Sequence, residues 1–295
     1  MKTCSAWRLA CANAVEDGSM SITPVMCTGP LVKRFARNVQ GRDFVIGDVH
    51  GAYDSVVAGL RTAKFHPDLD RLFVLGDLVD RGPQSERVLA FLQQPYVHAI
   101  LGNHERDLIS LKLEEIRILA EVNFNGMGWT KTVPDEKLAA ILVALAQLPL
   151  VMEIDTERGS VGLVHADVPF GLNWQDFVAR IESRDELVIN EALEGRDRVQ
   201  TRNKKGVLGI DRVFTGHTIQ WNGPRQLGNV FVIDTGAIFR ELGKEQGALT
   251  MVDLTCKTGL LIEPADADLP INLVEADQEE GDLEAFGRYA HPAER

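Results

Sequence analysis

Three short apolar runs in the first half of the chain each end in a group of glycine and polar residues. Between these runs, two segments repeat apolar residues at helical spacing, with Val56, Val57 and Leu60 on one face of the first. The pattern predicts strand, helix, strand, helix, strand, which is typical of a parallel α/β arrangement. The runs with their polar groups are DFVIGDVHG at Asp43–Gly51, RLFVLGDLVDRG at Arg71–Gly82 and YVHAILGNHE at Tyr96–Glu105, and the helical segments are Tyr53–Lys64 and Ser85–Gln94.

The polar groups carry side chains suited to metal binding or acid–base chemistry. In open α/β sheets, ligands bind outside the carboxyl ends of the strands. The sequence therefore predicts that these side chains converge at one edge of the sheet, although they are far apart along the chain. They are Asp48, His50, Asp77, Asn103 and His104.

A helical region follows at residues 105–149. Glu105–Glu121 is predicted as one helix with a broad apolar face, and a second helix is predicted to run from near Pro134 to Leu148. We interpret the region as an insertion that shapes a substrate groove beside the predicted site. Trp129, which lies between the two helices, fits either a packing role or a place in that groove.

Strand patterns return from Leu150 onward. The runs LVMEI, SVGLV and DRVFT are predicted strands, and the last two lead into His165 and His217 in the groups HAD and GHT. The segment Asn173–Leu193 between them is predicted to be helical. Three further runs, NVFVIDTGA, ALTMVDLTC and TGLLIEP, are predicted to form an antiparallel meander.

Two segments are predicted to flank a catalytic domain at residues 41–264. Residues 1–40 have no clear period and contain breakers such as Pro24 and Pro30, so we interpret them as a poorly ordered extension, with a partner-binding arm as the alternative. Residues 265–295 are rich in Asp and Glu, which is typical of a solvated or disordered acidic tail.

Charge and composition narrow the functional class. The chain of 295 residues has a net charge of −12, which argues against nucleic acid as the main partner, because that binding relies on Lys and Arg. Its 4 cysteines show no C-x-x-C spacing, so reduced thiols are expected. Apolar runs stay below the ~18 residues that a membrane span requires, and the first residues do not resemble a signal peptide. We expect a cytoplasmic protein without a membrane partner.

The histidines point to a metal site. Of the 7 histidines, 4 close apolar runs inside groups bounded by glycine, a pattern that unrelated structural histidines do not explain. Mixed Asp, His and Asn ligands suit Mn²⁺, Fe²⁺ or Zn²⁺, whereas a sulfur site would use cysteine. The histidines with this setting are His50, His104, His165 and His217.

Together, the groups GDVHG, GDLVDRG, GNHE, VHAD and GHT resemble the PPP family of metal-dependent serine/threonine protein phosphatases, specifically its compact bacterial and bacteriophage members. The similarity extends through NGMGW, GRDR and IDTGA, and it spans Phe44 to Ile262. The resemblance implies a calcineurin-like metallophosphatase fold, in which helices flank a central mixed β-sandwich and two divalent metal ions lie at the strand ends.

The resemblance also implies the metal ligands. Mn²⁺ is the ion expected, with Fe²⁺ or Zn²⁺ as alternatives. Asp77 would bridge the two ions, and a hydroxide held between them would attack phosphorus in line. The first ion would be held by Asp48, His50 and Asp77, and the second by Asp77, Asn103, His165 and His217.

The remaining roles follow from the same resemblance. His104 would protonate the serine or threonine alkoxide as it leaves, and Asp80 would orient the His104 ring. Arg81 and Arg196, together with Asn103, would bind the substrate phosphate, a task that suits a planar guanidinium. A surface ion pair with the many acidic residues is the alternative for each arginine.

At Arg196 the sequence departs from the family pattern. Relatives usually carry Trp two residues earlier, where this chain has Glu194. Arg198 therefore remains an alternative to Arg196.

The expected function is hydrolysis of phosphoserine or phosphothreonine in protein substrates. The nearest alternative is a symmetrical diadenosine tetraphosphate hydrolase, but those enzymes typically have Ala in place of Asp80 and Asp in place of Glu105. Further alternatives are a broad-specificity phosphoesterase and a non-catalytic scaffold that binds phosphorylated partners. A zinc-dependent nuclease or cyclic-nucleotide phosphodiesterase fits the motif spacing less well.

Overall fold

A computed structural model describes residues 28–255 and the strand Ile271–Glu275. The strands in these residues form two β-sheets. In chain order the strands are β1 (Val32–Phe35), β2 (Asp43–Ile46), β3 (Arg71–Val74), β4 (Val97–Ala99), β5 (Val151–Thr156), β6 (Gly159–Val164), β7 (Arg212–Thr215), β8 (Arg225–Leu227), β9 (Val230–Val232), β10 (Leu249–Asp253) and β11 (Ile271–Glu275). The first sheet has the order β1-β5-β6-β7-β9-β8, and the second has the order β11-β10-β2-β3-β4.

The two sheets pack against each other through buried apolar side chains. Val45 and Phe73 from the second sheet share one fully buried cluster with Phe214 from the first. Their neighbours Phe44 and Leu72 point to the opposite face, where the helices pack. Side chains alternate along a strand, and both faces of this sheet are covered, so apolar residues occupy consecutive positions in β2 and β3. The expected mixed β-sandwich with flanking helices is confirmed.

The helices lie outside the sheets and in the loops at the strand ends. They are α1 (Tyr53–Thr62), α2 (Val88–Leu92), α3 (Asn103–Ile109), α4 (Leu113–Glu121), α5 (Asp135–Leu145), α6 (Trp174–Glu182), α7 (Glu186–Glu194), α8 (Asp197–Thr201) and α9 (Ala237–Glu241). Short 3₁₀ segments occupy Ser85–Arg87 and Phe124–Thr132. Within the described residues, every helix is too short or too polar to cross a bilayer.

Two long helices predicted from the sequence are each divided in the structure. The segment 105–121 contains parts of α3 and α4, because Lys112 adopts an extended ψ of 157° and its backbone N–H donates to Glu115 Oε2 over 2.8 Å. This interaction starts a new helix. In the same way, Asp185 caps α7 with its side chain and divides the segment 173–193. The apolar period continues across both breaks, so it did not reveal them.

The predicted antiparallel meander is wrong. β9 lies beside β7 in the first sheet, whereas β10 pairs antiparallel with β2 in the second sheet, with Val252 opposite Val45. The short helix α9 connects the two sheets. Apolar runs of strand length indicate strands, but they do not indicate which sheet each strand joins.

Both segments predicted to flank the domain contribute strands. β1 pairs in parallel with β5, with Val32 opposite Val151, and β11 pairs in parallel with β10, with Ile271 opposite Leu249. These strands are therefore parts of the sheets rather than of a loose extension or tail. Charged neighbours such as Lys33 concealed the first of them in the sequence. Residues 1–27, 265–270 and 276–295 of these segments, and the run TGLLIEP, lie outside the described residues.

Candidate active site

Loops from both sheets meet at one edge of the sandwich. The side chains that the strand pattern led us to expect there do come together, and each is at most 8% exposed. They follow β2, β3, β4, β6 and β7, because the carboxyl ends of these strands point to the same edge. The side chains are Asp48, His50, Asp77, Asn103, His104, His165 and His217.

Several of these loops hold a left-handed backbone conformation. The φ angles are 46° at His50, 47° at Asp77 and 64° at His217, values that residues other than glycine rarely adopt. Such conformations persist where surrounding contacts hold them. Here the His50 N–H donates to the Asp77 carbonyl over 2.7 Å, and the His217 N–H donates to the Asp48 carboxylate over 3.0 Å. The tight turns direct the side chains toward one point.

Asp77 lies at the centre of the cluster. Its Oδ2 is 3.4 Å from His50 Nε2, its Oδ1 is 3.4 Å from His165 Nε2, and Oδ1 accepts the His104 N–H over 3.1 Å. Burial alone would raise the pKa of Asp77, but in acid, where the rings of His165, His104 and His50 are protonated, their positive charge outweighs burial and lowers the pKa. Asp77 is therefore an ionised carboxylate placed between two groups of histidine nitrogens.

Three atoms that could bind a metal ion face one another on one side of Asp77. His165 donates from Nδ1 to the Leu75 carbonyl over 2.7 Å, which leaves the Nε2 lone pair free. That lone pair is 3.0 Å from Asn103 Oδ1 and 3.2 Å from His217 Nδ1. Burial lowers the pKa values of both His165 and His217, the latter to about 3, so the rings are neutral at pH 7. Neutral imidazole nitrogens and an amide oxygen around one point are the donors of a cation site.

His50 has the same protonation state on the other side of Asp77. Its Nδ1 donates to the Val79 carbonyl over 2.9 Å, and burial lowers the pKa of His50 to about 3. The Nε2 atom of His50 therefore carries a lone pair, directed into the cluster.

Asp48 and Asp234 are two further buried carboxyl groups near Asp77. Burial, Asp234 and Asp77 together raise the pKa of Asp48 well above its usual value. The pKa of Asp234 rises to about 6 through its own burial, with Asp77 contributing and a hydrogen bond from the Gly236 N–H opposing the shift. Sequence reasoning did not single out Asp234, although the group IDTGA that contains it was among the matched motifs.

The donor set fits divalent metal ions. Two groups of donor atoms, each within 4.8 Å of one another, share Asp77: one adds His50 and His104, and the other adds His165 and His217. Lone-pair donors and buried carboxylates at such separations repel unless a cation lies between them. Oxygen and imidazole donors without sulfur suit Mn²⁺, Fe²⁺ or Zn²⁺.

Glu105 organises the loop that carries Asp77. Its fully buried carboxyl group accepts four backbone N–H groups over 2.7–3.2 Å. Burial and the nearby Asp77 raise the pKa of Glu105 to about 8, although these hydrogen bonds oppose the shift. The N–H groups belong to Asp77, Leu78, Val79 and Gly102. The sequence contained a sign of this role, because Glu105 is the third residue of α3 and a Glu at that position commonly bonds back to the cap.

His104, Asp80 and Trp129 form a chain of hydrogen bonds beside the cluster. His104 Nδ1 donates to Asp80 Oδ2 over 2.8 Å, and Trp129 Nε1 donates to Asp80 Oδ1 over 2.7 Å. Burial alone would lower the pKa of His104, but Asp77 and Asp80 outweigh burial and raise it above its ordinary value. Trp129 therefore does more than pack, because it donates a hydrogen bond to the same carboxylate that His104 contacts.

Replacing Trp129 with phenylalanine should weaken this arrangement. A hydrogen bond to a charged group contributes about 1.5–3 kcal/mol, so kcat toward a phosphopeptide should fall by roughly 10-fold as Asp80 loses its second anchor. Steady-state kinetics would measure the loss. An unchanged kcat with unchanged metal content would remove Trp129 from the positioning of His104.

Arg81 contacts two histidines of the cluster. Its Nη1 donates to His50 Nε2 over 2.6 Å, and its Nη2 donates to His104 Nε2 over 2.8 Å. The Arg81 backbone N–H donates to the Gly126 carbonyl over 3.1 Å, which ties this loop to the helical insertion. A Cβ atom added at Gly126 would collide with the Arg81 backbone. The insertion can therefore approach the Arg81 loop this closely only because residue 126 is glycine.

The two arginines of GRDR have different environments. Arg198 is 3% exposed, and its Nε donates to Asp167 over 2.7 Å while other N–H groups bond the carbonyls of Lys205 and Val168. Arg196 is exposed, and its Nη1 is 3.4 Å from Thr218 Oγ1, beside His217. The guanidinium of Arg198 is thus occupied by contacts inside the protein. Arg196 instead faces the site, and its N–H groups remain available to a ligand.

The matched substitutions Arg196→Ala and Arg198→Ala should separate these roles. Arg198→Ala leaves Asp167 buried without its partner, so the free energy of unfolding should fall by about 3–5 kcal/mol. Arg196→Ala should leave the melting temperature unchanged and raise KM for a phosphopeptide. Thermal unfolding and steady-state kinetics would check both, and the reverse pattern would favour Arg198 as the phosphate-binding residue.

Comparison with known proteins agrees with this geometry. The calcineurin-like phosphoesterase family model matches residues 44–220. Serine/threonine-protein phosphatase 1 from Salmonella typhimurium is 30% identical over 200 residues, which cover 66% of this chain and 87% of that protein. Serine/threonine-protein phosphatase 2 from Escherichia coli is 30% identical over 209 residues, with the same coverage of 66% and 87%. A symmetrical bis(5'-nucleosyl)-tetraphosphatase from Salmonella paratyphi B is 34% identical over 136 residues, covering 42% of this chain and 43% of that protein.

Proposed function

Because the chain belongs to the calcineurin-like phosphoesterase family, we propose that it is a serine/threonine protein phosphatase that uses two divalent metal ions, with Mn²⁺ as the preferred ion. Membership in the family makes the chain a metal-dependent phosphoesterase. The phosphoprotein substrate, the identity of the metal and the roles of individual residues are the content of the proposal. The cytoplasmic location and the lack of a nucleic-acid partner remain predictions from composition.

The metal ligands we propose are the donors around Asp77. Its central carboxylate would serve both ions, since histidine nitrogens approach both of its oxygens at 3.4 Å. When bound, divalent ions would supply a lowered pKa for water and positive charge for the phosphate oxygens. The first ion would take Asp48, His50 and Asp77, with His104 left to its bond with Asp80, and the second Asp77, Asn103, His165 and His217.

The hydrogen bond between His104 and Asp80 is the observation that carries the choice of substrate. A serine or threonine alkoxide is a poor leaving group, so it needs a proton as its bond to phosphorus breaks. The Nδ1 atom of His104 is held by Asp80 at 2.8 Å, and Asp77 and Asp80 raise the pKa of His104, so that Nε2 can carry a proton once Arg81 no longer donates to it. His104 can thus present Nε2–H to the leaving oxygen, which makes it the proposed general acid.

Arg81 and Arg196 are the proposed phosphate-binding residues, and Asn103 adds an amide. In the structure Arg81 donates to the Nε2 atoms of His50 and His104. A phosphate with several acceptor oxygens would compete for the same N–H groups, because a guanidinium binds two oxygens in its plane. Movement of Arg81 onto the phosphate would also release His104 Nε2 for proton donation.

A symmetrical dinucleotide hydrolase is the second candidate, supported by the similarity to the Salmonella paratyphi B protein over 42% of the chain. Its leaving group would be a nucleoside diphosphate, which is more stable as an anion than an alkoxide and has less need of a general acid. The presence of Asp80 and of its bond to His104 therefore favours the protein phosphatase.

A substrate panel with metal-stripped protein tests the proposal. The protein would be reconstituted separately with Mn²⁺, Fe²⁺, Zn²⁺ or Mg²⁺ and assayed on phosphoserine and phosphothreonine peptides, p-nitrophenyl phosphate and diadenosine tetraphosphate. We expect the highest kcat/KM on the phosphopeptides with Mn²⁺. Exclusive cleavage of the dinucleotide would contradict the proposed substrate, and binding of phosphopeptides without turnover would instead indicate a scaffold.

A further inference from the structure

The distal nitrogen of His217 lacks a hydrogen-bond partner within the described part of the chain. His217 is 7% exposed, its Nδ1 faces Asn103 Oδ1 at 3.0 Å, and its Nε2 is buried without a partner. A buried polar nitrogen left unpaired is costly, so an unpaired one in a folded protein needs an explanation.

Cation binding fixes which nitrogen of His217 carries the proton. The Nδ1 atom faces the other donors of the cluster, so it would use its lone pair toward the ion. The proton of the neutral ring must then sit on Nε2. Histidines that hold a metal usually donate this second N–H to a carboxylate, a carbonyl or a water, which fixes the ring orientation.

Glu194 provides a carboxylate in the required direction. Its Oε2 is 3.8 Å from His217 Nε2, which is close for an ion pair but too long for a direct hydrogen bond. The Glu194 side chain is 36% exposed, so a small rotation or one bridging water would complete the contact.

Surrounding contacts hold Glu194 in this place. Its Oε1 accepts from Arg106 Nη2 over 2.7 Å, and Arg106 lies in α3, one turn after Asn103. At the end of α7, Leu193 is buried and the Ala192 carbonyl accepts the Ala166 N–H over 2.8 Å. The position of Glu194 is therefore set by both the helix end and the ion pair with Arg106.

We propose that Glu194, anchored by Arg106, is a positioning residue that holds His217 in its metal-binding tautomer. The inference rests on the proposed two-metal function, and it concerns a position where this chain departs from the tryptophan typical of similar phosphatases. Glu194 touches neither the ion nor the substrate. It acts by accepting the Nε2–H of His217, so that Nδ1 presents its lone pair to the cluster.

The test measures Mn²⁺ binding without any substrate. Metal-stripped wild type, Glu194→Gln and Glu194→Ala would be titrated with Mn²⁺ by calorimetry and by Mn²⁺ electron paramagnetic resonance. We expect one of the two Mn²⁺ ions to bind roughly 10- to 100-fold more weakly in Glu194→Ala, with a smaller change in Glu194→Gln, which keeps a carbonyl acceptor. Glu186→Gln, an exposed acid at the other end of α7, is the matched control and should bind both ions as wild type does.

A positioning role also predicts how activity responds. The Mn²⁺ concentration that gives half-maximal activity should rise by the same factor in Glu194→Ala, whereas kcat at saturating Mn²⁺ should stay close to wild type. Two Mn²⁺ ions bound with wild-type affinity by Glu194→Ala would overturn the role of Glu194 and leave the proposed function intact. Failure of wild type itself to bind Mn²⁺ would overturn the proposed function and the inference together.

Discussion

Asparagine in place of His104 is expected to lower kcat toward a phosphoserine peptide by roughly 100- to 10,000-fold, the usual contribution of a positioned general acid. The His104 ring is 1% exposed and bonded to Asp80 over 2.8 Å, so its loss removes a proton donor that Asp80 holds in a fixed direction. Asparagine keeps a polar side chain and the backbone N–H that donates to Asp77 over 3.1 Å. The metal cluster should therefore stay intact.

The dependence on leaving group sharpens this prediction. p-Nitrophenolate leaves without much help from a proton, so His104→Asn should lose far less activity on p-nitrophenyl phosphate than on the phosphopeptide. The Mn²⁺ content of the variant, measured by elemental analysis, should equal that of wild type. Equal losses on both substrates with full Mn²⁺ content would contradict the role of His104 as an acid.

Substitution of Asp77 with asparagine should have the other large effect. Asp77 is the residue shared by both groups of candidate donors, so its amide would remove a negative charge from each of them. Loss of a residue that hydrogen-bonds a metal ligand typically lowers activity by roughly 10- to 100-fold, and loss of the Asp77 carboxylate itself should lower it by more. Mn²⁺ should raise the melting temperature of the wild type, because a ligand stabilises the state that binds it, and this rise should disappear in Asp77→Asn.

The control for this substitution is Asp54→Asn, which makes the same carboxylate-to-amide change at an exposed position on α1. It should keep both the activity and the Mn²⁺-dependent rise in melting temperature. If Asp77→Asn retained that rise, the carboxylate of Asp77 would not be the shared ligand.

The sequence indicated which residues lie at the site because each of them directly follows an apolar run of strand length. Apolar runs of strand length ended in Asp48, Asp77 and Asn103, and parallel strands bring such ends to one edge. His165 and His217 came from the other sheet, yet the same pattern identified them. Local sequence was sufficient here because the glycine-bounded turns occur directly at the strand ends.

Contacts between distant segments could not be predicted from the sequence in the same way. The bond from Trp129 to Asp80 joins residues 49 positions apart, and the ion pair between Arg106 and Glu194 joins residues 88 apart. Whether a tryptophan in a loop packs or donates a hydrogen bond depends on what the fold places beside it. In the sequence, Glu194 was only a departure from the family pattern.

The assignment of strands to sheets failed for a related reason. Val230–Val232 and Leu249–Asp253 look alike as apolar runs, but they belong to different sheets. Val32–Phe35 was overlooked because Lys33 and Arg34 interrupt its apolar residues at the edge of the first sheet. Edge strands expose side chains and tolerate charge, so their alternation is weaker than that of central strands.

The number of Mn²⁺ ions bound by the metal-stripped wild-type chain is the most direct measurement. Calorimetric titration, checked by elemental analysis after desalting, should give two Mn²⁺ per chain, and phosphopeptide hydrolysis should appear as the second ion binds. A stoichiometry of zero or one, with hydrolysis that does not depend on added metal, would contradict a catalytic centre built around Asp77.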